Sequence, residues 1–128
     1  AGFEGDYAVA LHLLVPQVRH LVRTSLRVAG CVTTTLDPEG IESQVGLSAL
    51  VDFPEMKAIF GENLTFVLKV LLCDPIGPNL RNEVAHGLLG DAQCQSAMPV
   101  YLWWFMLRLV VKTVNATLVA PPQDKTAV

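Results

Sequence analysis

With 128 residues, 52% of them hydrophobic and only 16% charged, the chain has enough sequence for one core and not for two. Its mean hydropathy of +0.43 is high for a soluble domain of this size and points to apolar surface covered by a partner. A net charge of −3 argues against indiscriminate binding to nucleic acid, which is dominated by phosphate neutralisation, but leaves room for a local basic patch.

The first segment opens acidic, with Glu4 and Asp6 and no basic stretch before an apolar one, so it does not read as a secretory signal. There is no initial methionine, which leads us to expect flanking domains. From Tyr7 to about Val28, apolar residues recur at steps of three and four and predict an amphipathic helix; Pro16 predicts a kink or break near His12 to Pro16, and Gly30 the stop. Arg19, Arg23 and Arg27 recur every four residues along this helix, with His20 beside them. They form either a solvated face or a ridge that tracks a phosphate backbone.

In "CVTTTLDPEGIESQV", β-branched residues flank Asp37-Pro38-Glu39-Gly40, which suits a type I turn and predicts a small β-hairpin. Short helices are expected at Leu47 to Val51 and from Pro54 to Phe60, the second ended by Gly61. Leu64, Val67, Leu68, Leu71 and Leu72 mark a further helix that stops before Asp74-Pro75, after which "DPIGP" is a rigid loop. The next helix is expected from Asn79, as N-cap, to about Leu89, with Gly90 past its end. In it Leu80, Val84 and Leu88 would face the core, with Asn82 and His86 stacked on the other side and Arg81 between.

The last helix, Ala97 to about Val119 with Ser96 as cap, is apolar nearly all round and so must be buried on all sides, which in so small a domain implies a second copy of the chain. Arg108 and Lys112 interrupt its apolar run before the ~20 residues a bilayer needs, so no membrane span is expected. Trp103 and Trp104 read as core and interface before they read as base-stacking groups. Residues 120 to 128 carry no core-forming pattern and are expected to be mobile.

Cys31, Cys73 and Cys94 fit no zinc spacing and lie near no histidine in sequence; they read as small buried hydrophobes in a reducing compartment, and no metal site or cofactor is expected. The Asn-x-Thr triplets at Asn63 and Asn115 stand alone as hints of secretion, and a cytoplasmic setting is expected.

The chemistry concentrates in "GPNLRNEVAHGLLG". Arginine suits bidentate contact with phosphate, and histidine can move a proton near neutral pH. "DPIGPNLRNEVAHGLL" resembles the RNxxxHG signature of a mostly bacterial branch of the HEPN superfamily of all-α domains. "VTTTLDPEGI", "IFGENLTFVLKVLL" and "YLWWFMLRLV" are similar to the same branch in order and spacing, so the resemblance covers about residues 7 to 112. It implies a bundle of four or five helices, here with a small β-hairpin insertion, within a single domain over residues 1–119. It also implies a homodimer with the two motifs face to face, and metal-independent endoribonuclease chemistry in active members. Arg81 and His86 would be the catalytic pair and Asn82 the adjacent polar residue. Independently of the resemblance, Arg19, Arg23 and Arg27, with Asn79, are the expected contacts to RNA. Toxin, defence or RNA-processing roles are the usual setting of such domains. The alternatives are a dimer of this type that binds RNA or a nucleotide without cleaving it, and a purely structural dimerisation module. Glu83, beside Arg81, is a carboxylate that would pair with it or repel RNA.

Overall fold

The computed structural model describes residues 1–119, so the expected mobile tail lies outside the described residues. After a single 3-10 turn at Gly2–Glu4, helix α1 runs over Tyr7–Val28. A two-stranded hairpin follows, β1 at Thr34–Leu36 and β2 at Glu42–Gln44. Then come α2 (Leu47–Leu50), α3 (Pro54–Phe60), α4 (Glu62–Leu72), α5 (Leu80–Ala85), α6 (Asp91–Cys94) and α7 (Ala97–Val119). The described residues are therefore mostly helical, with the hairpin as the one sheet, in agreement with an all-α expectation.

Helix α1 is the axis of the fold, packing against α2, α3, α5, α6 and α7. Its Leu11, Val15, Val18, Val22 and Leu26 are all buried, and meet Leu47, Leu50, Met56, Leu68, Leu72, Leu80, Leu102 and Met106 in one core. Each such side chain stabilises the fold by about 1.5–3 kcal/mol through burial alone. The helix starts at Asp6, whose carboxylate accepts from the Val9 amide at 3.2 Å. It ends in a Schellman turn: the Cys31 amide donates to the Leu26 carbonyl and the Gly30 amide to that of Arg27. Of the kink or break expected near Pro16 the break is absent, since the helix runs on through it. The bond that proline removes would have gone to His12 on the exposed side, where water can serve the orphaned carbonyl.

The hairpin forms as its turn chemistry requires. Thr35 pairs with Ser43 in antiparallel register, the Gly40 amide donates to the Asp37 carbonyl at 2.9 Å, and the Asp37 carboxylate accepts from the Ile41 amide at 2.7 Å. Pro54 opens α3 and Gly61 closes it. The buried Thr65 hydroxyl ties α3 to α4 by donating to the carbonyls of Gly61 and Met56, while Lys69 reaches Asp52 across the surface at 2.6 Å.

Helix α7 departs most from expectation. Leu102 and Met106 are buried, but Tyr101, Trp104, Val110, Val111 and Val114 are exposed, so the chain itself covers one side and leaves an apolar face open. Trp103 takes the covered side, edge-on to Phe3 with ring centroids 4.8 Å apart and also against Tyr7. Ser96, expected as cap, donates its hydroxyl back to the Gln93 carbonyl at 2.6 Å. By length and composition Ala97–Ala116 would reach across a bilayer even with its two cations, although the core helix of a soluble protein passes the same test. The charges alone therefore do not exclude a span as the sequence reading has it. Of the cysteines, Cys94 is buried and Cys31 and Cys73 are half-buried, all three as free thiols.

Candidate functional site

The loop before the motif is set by close packing. Asp74 turns the chain by accepting from the Ile76 amide, and Gly77 passes so near α4 that a Cβ there would lie 2.6 Å from the Val70 carbonyl. Asn79 then takes the left-handed conformation, φ 45° and ψ 45°, which asparagine tolerates better than most residues. It sits at the N-cap position, but its side chain makes no capping hydrogen bond, so the expected cap is absent.

The motif helix is shorter than the sequence predicts. It ends at Ala85 instead of near Leu89, because Gly87 adopts φ +62° and closes a Schellman turn. The Leu88 amide donates to the Glu83 carbonyl and the Gly87 amide to that of Val84. Two corrections follow. His86 is the C-cap, outside the helix, although its amide still reaches the Asn82 carbonyl at 3.0 Å. Leu88, expected in the core, is 59% exposed, and Leu89 packs against the core in its place. A further short helix, α6, forms over Asp91–Cys94, where no separate helix is expected from the sequence.

Arg81 is half-buried and points into a groove of about 470 Å³ between α1 and α5. Val15, Pro16, Arg19, His20 and Arg23 form its α1 side, and Arg81, Val84 and Ala85 its α5 side. Two of the three arginines on the predicted ridge thus meet the motif arginine. Arg27 remains exposed on α1 and does not line the groove. His20, noted in the sequence only as a neighbour of the ridge, lines it as well. Asn82 is half-buried and His86 exposed, and neither lines the groove, although His86 directly follows Ala85, which does.

The electrostatics of the groove are one-sided. Among the described residues no carboxylate, Glu83 included, forms an ion pair with Arg19, Arg23, Arg27 or Arg81. The Nε atoms of Arg23 and Arg81 and the Oδ1 of Asn79 are buried without a hydrogen-bond partner. Buried polar atoms of this kind normally have one. Arg23 does donate through Nη2 to the Val45 carbonyl at 2.7 Å, which ties α1 to the segment after the hairpin and fixes its guanidinium. Its pKa lies below the ordinary arginine value through burial first and then through the like charges of Arg19 and Arg27. Burial pushes the Cys73 thiol up, and the Arg81 charge and a hydrogen bond with Ser48 partly offset this. Arg81 thus lies within electrostatic reach of the end of α4.

Taken together, the groove brings arginines from two helices, one of them fixed by a backbone hydrogen bond, to one place with an imidazole at its rim, a donor set suited to a phosphate group. The chain matches no protein-family model, no curated protein and no solved structure.

Proposed function

We propose that the chain is a HEPN-type, metal-independent endoribonuclease that acts as a homodimer and holds the RNA backbone in the groove between α1 and α5. The observation that carries this reading is the convergence of Arg81, from the motif, with Arg19 and Arg23, from a separate helix, on one groove without a carboxylate partner. Unpaired guanidiniums held together repel one another, and an anion between them relieves that repulsion. RNA supplies both the anion and the nucleophile. In the proposed reaction the 2′-hydroxyl attacks the adjacent phosphorus, Arg81 holds a non-bridging oxygen as charge builds on it, Asn82 orients the reacting groups, and His86 carries out a proton transfer worth about 10²- to 10⁴-fold. The open apolar face of α7 is the surface we assign to the partner copy, and the setting we propose is cytoplasmic, in toxin, defence or RNA-processing systems.

One observation favours a second reading, binding without cleavage: His86 is exposed and does not line the groove that Arg81 enters. Incubating the chain with a mixed RNA pool in excess EDTA and mapping the product ends separates the two. Cleavage leaves 2′,3′-cyclic phosphates and 5′-hydroxyls, whereas RNA that is retained but intact supports binding alone.

A further inference from the structure

We infer that His20, which lines the groove that Arg81 enters, is a second proton-transfer group of the reaction; this rests on the RNA-cleavage reading above. The chemistry requires two transfers. The proton of the 2′-hydroxyl must leave as the bond from that oxygen to phosphorus forms, and a proton must reach the 5′-oxygen as its bond to phosphorus breaks. Atoms and charge then balance with a 2′,3′-cyclic phosphate and a free 5′-hydroxyl as products. In-line displacement places the attacking and leaving oxygens on opposite sides of phosphorus, so a single imidazole at one position does not serve both.

His20 stands on α1 and lines the groove together with Arg19, Arg23 and Arg81. His86 follows Ala85, the last residue of α5, which lines the facing wall. His20 is thus the imidazole inside the groove that Arg81 enters, whereas His86 is exposed just beyond the residues that line it. The charged groups around His20 are Arg19 and Arg23 on its own helix and Arg81 on α5. On its other flank, towards α7, it borders an apolar groove whose neighbours Gln17, Leu21, Thr24 and Trp103 carry no charge. No carboxylate pairs with His20 among the described residues, so its ring is available to substrate. It is also exposed, and its replacement leaves the core untouched.

The experiment compares wild type, His20→Gln and His86→Gln on ordinary RNA and on RNA in which sulfur replaces the leaving 5′-oxygen, since a thiolate leaves without being protonated. We expect His20→Gln to lower kcat by about 10²-fold or more, to flatten one limb of the bell-shaped pH profile, and to leave the circular dichroism spectrum unchanged. One of the two variants, the one that lost the acid, should regain most of its rate on the sulfur substrate. A His20→Gln chain that cleaves within a few-fold of wild type, with both limbs present, overturns the role of His20 and leaves the RNA-cleavage reading standing. A loss confined to KM, or a slowed variant with both limbs intact, makes His20 a binding residue and also overturns the inference. Inactive wild type overturns both.

Discussion

Arg81→Ala should lower RNA cleavage by about 10²- to 10³-fold, the usual effect of removing one fixed donor that faces developing charge, without loosening the fold. The second half of that expectation comes from the structure. Among the described residues Arg81 makes no ion pair, and its buried Nε has no partner, so truncation leaves no other group orphaned. Initial rates on a labelled RNA, with a thermal melt of the same sample, check both halves. Arg81→Lys should fall between wild type and the alanine variant, because an ammonium keeps the charge but not the planar pair of donors. A variant that melts early and cleaves poorly would place Arg81 among the residues that hold the fold.

Leu80→Ala should have the opposite profile, with a stability loss of about 2–5 kcal/mol and inactivity as its consequence. Helix α5 has six residues, and Leu80 is its one fully buried side chain, 2% exposed. A helix that short does not persist by its own propensity. It is anchored to the core by this leucine, and Arg81 is aimed into the groove because its neighbour is fixed. A denaturant titration should show a lower midpoint, and amide exchange should quicken across residues 80–85 ahead of α1. If the midpoint holds and activity is retained, Val84 and Leu89 suffice to seat the motif.

Much of this fold is legible where a local signal has no competitor. The apolar spacing of α1, its glycine stop, the Asp-Pro-Glu-Gly turn and the proline start of α3 each depend on neighbours in sequence, and each is found as read. The motif helix is shorter than its sequence suggests because Gly87, three residues before the expected stop at Gly90, already supplies an end signal. A single left-handed residue there shifts the phase of all that follows, which puts Leu88 outside and Leu89 inside. Pro16 does not end α1, since packing on the other side of the helix outweighs one lost backbone bond on the exposed side. For α7, composition says that the helix is apolar all round but not what covers it.

The candidate site was legible as residue types and not as a place. Nothing in the spacing of Arg19 and Arg23 says that Arg81, some sixty residues later, comes to the same groove, because that is decided by α5 crossing α1. The same geometry separates Arg27 from them and admits His20. Helical periodicity could have pointed to His20, which lies one residue from Arg19 and three from Arg23, but only if the far wall of the groove had been known.

The most direct test of the account is to follow the arginine Nε–Hε resonances by NMR while titrating in a short RNA made non-cleavable by 2′-O-methylation. Among the described residues Arg23 and Arg81 are the two arginines whose buried Nε atoms have no partner, and both line the groove. The account predicts that these two signals shift together and saturate together, with Arg27 lagging, and that Arg81→Ala abolishes the shift at Arg23. Signals that stay in place while RNA binds elsewhere on the surface, or a chain that binds no RNA at all, would contradict it.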